Sequence, residues 1–406
     1  MNVKPTEYSY IIITDHGDIN GGLAKVVVSQ VEELATNQDK RVLILTGSSK
    51  LSVSLKNNEN IDHVVIGKGE YLLRPNRIKG AIDGLFDFYV LKQLKRNLGK
   101  GVSLNTRILV HGWSKSLSPS IFWVLRKYGK ITYCWNHDYF LHCPNGGYFD
   151  YNKKVSCREK PLSLSCIKRD CDSRSYYFKV WRVLRFFILK AVRGFFKEIA
   201  VTDASANVIS EYSSDYKGRV IPNPIDIYKK PRIQAELNDY VVIVGRPSPE
   251  KGIDKLFETL KDVNYYRKVF IIGGLESDYE GVDSGHLSIE YCGWLDKTEV
   301  EKVMCKARYL IFPSLWHEAQ GLVVTEAIAM GVPVICAEVN CGVEAVEKFK
   351  AGRLYDPYNS STLVSALEHF ELDANVEIYS ENGYQSYWLK PEDIKNHITQ
   401  VIKICR

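Results

Sequence analysis

Glu318 and Glu326 stand eight positions apart in the run Phe312-Pro313-Ser314-Leu315-Trp316-His317-Glu318-Ala319-Gln320-Gly321-Leu322-Val323-Val324-Thr325-Glu326-Ala327-Ile328-Ala329-Met330-Gly331-Val332-Pro333. The apolar residues up to Phe312 read as a strand, Glu318 and Gly321 as a loop, and the residues after them as a helix. The first turn of such a helix offers backbone N–H groups without intrahelical partners and the positive end of the helix dipole, which together hold an anion. One acid lies in the loop and the other two turns into the helix. At that separation one acid can reach a sugar hydroxyl while the other reaches a more distant ribose.

A second cluster, Val244-Gly245-Arg246-Pro247-Ser248-Pro249-Glu250-Lys251-Gly252, follows a strand and precedes a helix. Arg246 and Lys251 are fixed cations suited to neutralising a diphosphate. Near the start, Asp15-His16-Gly17-Asp18-Ile19-Asn20-Gly21-Gly22-Leu23-Ala24-Lys25 joins the first strand to the first helix. Gly21 and Gly22 permit close backbone approach to a phosphate or sugar. The run lacks the G-x-G-x-x-G fingerprint of a dehydrogenase. Trp135-Asn136-His137-Asp138-Tyr139 ends another strand and leaves His137 on a loop, where it can donate to a hydroxyl or phosphate oxygen.

These residues need rigid elements to hold them. Short apolar runs recur at Tyr10–Thr14, Arg41–Leu45, His63–Ile66, Ile108–Val110, Ile131–Trp135 and Ile199–Val201, with helical patterns at Gly22–Ala35, Ile82–Leu98 and Pro119–Tyr128. The second half repeats the scheme at Tyr240–Val244, Lys268–Ile272, Ser288–Cys292, Tyr309–Phe312, Pro333–Ile335 and Gly352–Leu354, with helices at Gly252–Leu260, Lys297–Lys306, Gly321–Met330 and Cys341–Phe349. Strand, helix, strand in this rhythm predicts parallel sheets covered on both faces. The expected fold class is α/β, with two Rossmann-like doubly wound domains facing across a cleft. A first domain is expected over 1–220, a hinge over 221–238 around Pro222 and Pro224, a second domain over 239–388, and a terminal helix over 389–406 returning toward the first domain. Ligands of doubly wound sheets bind at the carboxyl ends of the strands.

The acid pair and the trailing Ala-Met-Gly-Val-Pro resemble the E-x7-E signature of retaining family 4 glycosyltransferases, which have the GT-B fold. Gly-Gly, His-Asp, Gly-Arg and Glu-Lys-Gly occur in the order of that family, so the resemblance covers most of the chain. It is strongest in the second half and weakest between Leu51 and Arg107. It implies that Glu318 binds donor-sugar hydroxyls, that backbone amides of Ala319, Gln320, Gly321 and Leu322 hold sugar and phosphate, and that Glu326 binds ribose. It also implies a leaving-group role for Arg246 and Lys251, a donor-facing place for Gly21 and Gly22, and a catalytic place for His137. The implied activity is metal-independent transfer of a hexosyl group from a nucleotide diphosphate sugar, with retention and no further cofactor. The rivals are a nucleotide-sugar epimerase on the same fold and a non-catalytic sugar-nucleotide or polysaccharide binding protein.

Length and composition agree with two domains: 406 residues exceed what one core usually organises, and 45% hydrophobic with 25% charged content is ordinary globular material. No apolar run reaches the length of a membrane span, no secretory signal is expected, and ten scattered cysteines point to reduced thiols in a cytoplasmic protein. The net charge of +6 is unevenly spread. Residues 1–200 hold about 32 Lys and Arg against about 17 Asp and Glu, whereas residues 201–406 hold about 22 against about 31. The basic half suits a solvated surface or an anionic partner. With the resemblance, the expected partner is a lipid-linked acceptor of O-antigen, lipopolysaccharide or capsule assembly, and nucleic acid is not expected.

An insertion over 140–175 holds Cys143, Cys157, Cys166 and Cys171, compatible with free thiols, a tetrahedral zinc or a disulfide. Asp170-Cys171-Asp172 imitates a D-x-D metal motif but does not follow a core strand. The stretch 176–198 is expected to be a basic helix, with Lys179, Arg182, Lys190, Arg193 and Lys197 on one side and Arg185 at its margin. That pattern fits either peripheral contact with the inner face of an anionic membrane or a core-packed helix with a basic solvent face. Donor sugar, base, linkage and oligomeric state are left open by the sequence.

Overall fold

A computed structural model describes residues 7–19, 21–214, 216–261, 263 and 265–405. The chain divides into two compact units: Met1–Gly146 with Glu159–Pro224 and Ile394–Arg406, and Gly147–Arg158 with Ile225–Asp393. In chain order the strands are β1 (Tyr10–Thr14), β2 (Val42–Thr46), β3 (Ile61–Val65), β4 (Arg107–Val110), β5 (Thr132–Asn136), β6 (Phe149–Asp150), β7 (Val155–Ser156), β8 (Lys197–Ala200), β9 (Arg219–Val220), β10 (Tyr240–Val244), β11 (Val269–Ile272), β12 (Ile289–Gly293), β13 (Ala307–Phe312), β14 (Val334–Ala337) and β15 (Gly352–Tyr355).

The first unit is built on a parallel sheet ordered β3-β2-β1-β4-β5-β8-β9. Ile11, Ile12 and Ile13 of β1 are all fully buried, as a strand covered on both faces requires. Each fully buried Ile contributes roughly 1.5–3 kcal/mol by leaving water. Helices Phe88–Gly101 and Tyr176–Val192 supply Leu94 and Leu189 to the core cluster that contains Ile11 and Ile13.

The second unit has a parallel sheet ordered β12-β11-β10-β13-β14-β15. Counted from its own first strand this is the Rossmann order, with the switch point between β10 and β13. Successive residues of β10 serve opposite faces: Val241 and Ile243 pack with Phe257 and Leu363, whereas Val242 packs with Val324 and Ile328. Helix Leu322–Met330 thereby fastens to the face of the strand that precedes the Arg246 loop.

The structure differs from sequence expectation in several places. Residues from Ile225 onward belong to the second unit, and Ala235, within the stretch expected as hinge, is fully buried in its core. The expected helix over 176–198 ends at Val192, because Arg193 is extended and Lys197 already pairs with Tyr133 as the first residue of β8. The cationic side of that helix is also mostly covered, with Lys190 left exposed. Lys179 is 1% exposed, Arg185 is buried, Arg182 binds Asp172 at 2.9 Å, and Arg193 pairs with Glu198. Helical periodicity assigns residues to faces but does not say which face is covered. Here residues of the cysteine-bearing insertion meet the cations, and Tyr177, Leu184 and Phe187 are left exposed. Among the described residues no helix is long and apolar enough to cross a membrane.

Candidate functional site

β10 and β13 are neighbours at the switch point, so the loops leaving their carboxyl ends diverge from one place in the second unit. Gly245 and Arg246 follow β10; Pro313 to Gly321 follow β13. The two loops touch at Gly252, whose φ is 71° and where an added Cβ would lie 2.1 Å from the carbonyl oxygen of Pro313. Only glycine meets both demands, and its place at the start of helix Ile253–Leu260 fixes the entry of that helix.

The junction is held by backbone and side chain alike. Leu315 N donates to Glu250 O at 2.8 Å, and Asn340 Nδ2 donates to Ser314 O at 2.9 Å and to Ala337 O at 2.8 Å. Gly342 N donates to Asn340 Oδ1 at 2.8 Å, which fixes the amide orientation. Ser314 Oγ donates to Glu318 Oε1 at 2.8 Å. That same carboxylate oxygen is ion-paired with Lys251 Nζ, 67 residues away in the chain. The side chains of Lys251 and Glu318 are 16% and 11% exposed, so the pair is largely removed from bulk water yet accessible at its edge. The Lys251 ammonium lies 5.9 Å from the centre of the Trp316 ring.

The other expected residues are distributed unevenly around this pair. Arg246 leaves the end of β10 with its side chain 60% exposed, and its Nη2 is 3.4 Å from Glu250 Oε1. Its ion pair is thus with buried Glu250 and not with Glu318. Ala319 and Gly321 are buried, Gln320 and Leu322 are half-buried, and Gly321 opens helix Leu322–Met330, on which Glu326 is half-buried. Of the amides from Ala319 to Leu322, that of Leu322 donates to Gln320 O at 3.1 Å. Sequence reasoning missed Ser314, Asn340 and Trp316. Ser314 and Trp316 lie inside the run already singled out, and a small polar residue just past a strand end was the available signal for Ser314. Asn340 had none, because its role depends on a sheet neighbour.

Part of the insertion also belongs to this unit. Strands β6 and β7 form an antiparallel pair, and Ser156 Oγ donates to Leu315 O at 3.1 Å. Lys154 pairs with Asp254 at 3.4 Å.

In the first unit, Asp15 and His137 follow β1 and β5. Asp15 accepts from Lys115 N at 3.1 Å, Ser116 N at 2.8 Å and Ser116 Oγ at 2.8 Å, tying the loop after β1 to the loop after β4. Gly21 is extended, an added Cβ there would meet nothing within 4 Å, and Gly22 begins helix Gly22–Glu32. Asn20 lies outside the described residues. His137 Nε2 and His111 Nδ1 share a hydrogen bond of 2.9 Å, and the His111 ring stacks on Trp135. Burial, reinforced by His397, pushes the His137 imidazole down to about 3, and burial drives His111 well below the usual histidine range. His137 is therefore a neutral hydrogen-bonding group near pH 7, not a cation. Burial and the nearby Asp15 raise Asp138 to about 6, against the Phe140 amide that it accepts at 3.1 Å.

The cysteines form no disulfide. Cys143, Cys166 and Cys171 are buried in the first unit, and Cys157 in the second. Lys179 Nζ sits 3.2 Å from Cys171 Sγ and 3.8 Å from Cys166 Sγ, so an ammonium lies against these two thiols. Among the described residues no three His, Cys, Asp or Glu groups are placed to hold a metal.

Residues 225–386 match the model of the family Glycosyl transferases group 1. The likeness is to glycosyltransferases. O-antigen chain mannosyltransferase B of Escherichia coli is 29% identical over 183 residues, 42% of this chain and 46% of that protein. The chain spans about half the length of this and two other curated relatives. Among solved structures, the sucrose-phosphate synthase of Thermosynechococcus elongatus superposes with a TM-score of 0.69 at 18% identity, covering 97% of both chains. Anabaena Alr3699/HepE, solved in complex with UDP-glucose, gives 0.62 at 15% identity over 97% of this chain and 98% of that one. The fold is GT-B, an α/β architecture of two Rossmann-like domains. Two of the curated relatives are named for O-antigen chain and lipopolysaccharide glycosyl transfer.

Proposed function

We propose that the chain is a retaining glycosyltransferase of the family 4 kind, which takes a hexosyl group from a nucleotide diphosphate sugar bound by the second unit. The observation that carries this reading is the Lys251–Glu318 pair, assembled at the switch point beside the start of helix Leu322–Met330. An arriving diphosphate competes with Glu318 for the Lys251 ammonium and frees the carboxylate for donor-sugar hydroxyls. Lys251, with Arg246 swinging from its exposed position, then neutralises the negative charge that grows on the departing diphosphate. Amides from Ala319 to Gly321 and the helix dipole add to that field, and Glu326 receives the ribose.

Side-chain cations and amide dipoles supply the charge, so the proposed reaction needs no metal and no further cofactor. Gly21, Gly22 and neutral His137 belong to the first unit, which we assign to the acceptor side; His137 serves as a catalytic hydrogen-bonding group, and the two glycines face the donor as close-approach positions for its phosphates. The acceptor class is a lipid-linked oligosaccharide at the cytoplasmic face of the membrane, in keeping with the O-antigen mannosyltransferase among the relatives.

Incubating the protein with a panel of sugar nucleotides and membrane extract tests the proposal. The expected result is free nucleoside diphosphate and a labelled lipid fraction with one donor. Release of an isomerised free sugar nucleotide would replace the transferase with an epimerase, and tight donor binding without turnover would replace it with a binding protein.

A further inference from the structure

The first unit contains a cavity of about 720 Å³ at the amino ends of β5, β8 and β9, away from the strand ends that carry Asp15 and His137. Among the described residues six cations line it: Lys190, Arg193, Lys197, Lys217, Arg219 and Lys403. They come from the end of helix Tyr176–Val192, the residues after it, strand β8, the loop before β9, β9 itself and the terminal helix Ile394–Ile404. Among the described residues the lining holds one acid, Glu198.

Glu198 is already committed. It pairs with Arg193, meets His142 Nε2 at 2.6 Å and accepts from Asn136 Nδ2 at 3.0 Å. Lys197 donates to the Tyr133 hydroxyl at 2.8 Å. Lys217, Arg219 and Lys403 form no ion pair among the described residues, so three like charges from three separate elements converge on one concavity. Such convergence raises a positive potential inside low-dielectric walls and favours an anion there. Phe195, 71% exposed, adds an apolar wall.

We propose that this cavity is a second anion site, which takes a phosphate or pyrophosphate ester of small-molecule size bearing a ring or chain that lies against Phe195. Arg219 and Lys403 hold the phosphoryl oxygens, and Lys217 closes over them from the loop. The site is separate from the Lys251–Glu318 pair, which belongs to the other unit.

The test is pyrophosphate titration by calorimetry of the full chain, in the Lys251→Ala background so that the second unit contributes least, alongside sedimentation with phosphatidylcholine vesicles with and without phosphatidic acid. The Arg219→Ser/Lys403→Ser double variant is compared with its parent, and the charge reversal Lys217→Glu serves as an independent variant on an exposed loop. The expected result is at least about tenfold weaker binding in both variants with an unchanged melting temperature. Loss in the pyrophosphate titration assigns a soluble phosphate ester, and loss in the vesicle experiment alone assigns a lipid-borne headgroup; either supports the site. Equal binding by parent and variants in both measurements overturns it.

Discussion

The two units share a strand order around their switch points but treat the polar groups there in opposite ways. In the second unit, Lys251 and Glu318 hold each other at the edge of solvent, and Arg246 extends into water with a long contact to Glu250. Charges so arranged can exchange partners when a ligand arrives. In the first unit, Asp15 is saturated by the loop after β4, and His111 and His137 are neutral and hydrogen-bonded to each other. That surface offers shape and neutral hydrogen bonds. The difference teaches that strand order fixes where a site forms, while the freedom of its charged groups fixes which chemistry it can serve.

Breaking the loop junction of the second unit has the largest expected effect. Gly252→Ala puts a methyl group against the Pro313 carbonyl at a positive φ, and should cost about 3 kcal/mol of stability, seen as a lowered denaturation midpoint. An unchanged midpoint would mean that the two loops are not locked as described. Lys251→Ala keeps the fold but removes the charge at the leaving group, so turnover should fall more than about tenfold at an unchanged melting temperature. Arg246→Ala should lose less, because Arg246 is the more exposed of the two cations.

The first unit should respond to pH instead. His111, His137 and His397 are all depressed, the last to about 4 by burial, so the folded state binds fewer protons than the unfolded chain once pH drops below about 6.5. Stability from these groups is complete above that value and is lost as pH falls toward 4. Melting temperatures recorded between pH 7 and 5 should decline, and His111→Asn should flatten the decline. A flat profile in the native protein contradicts the neutral-histidine assignment. The smallest effect belongs to Ser314→Ala: one hydrogen bond to Glu318 is worth about 1 kcal/mol, or about fivefold in donor affinity.

The strands were legible because buried parallel strands write continuous apolar runs, as Tyr10–Thr14 and Tyr240–Val244 show. Lys251 and Glu318 were legible because each lies in a strand-loop-helix run whose spacing signals an anion site. What escaped was decided by contacts distant in sequence. The Ser314–Asn340 brace spans two neighbouring strands, and no local pattern marks it. Lys179 and Arg182 of helix Tyr176–Val192 looked like part of a surface stripe because periodicity cannot see that Asp172 and the thiols of the insertion cover them. The fragment carrying β6 and β7 could not be assigned to the second unit from composition, since its tie is Ser156 to a backbone oxygen of Leu315.

The central claim is that Lys251, seated on Glu318, grips the diphosphate of a sugar nucleotide. It is tested most directly by incubating native protein and its Lys251→Ala variant with a mixture of sugar nucleotides and weighing the intact complexes by mass spectrometry. The account predicts one species retained by the native chain and at least about tenfold less by the variant at equal concentration. Retention of the same species to the same extent by both, or of none by the native chain, would contradict it.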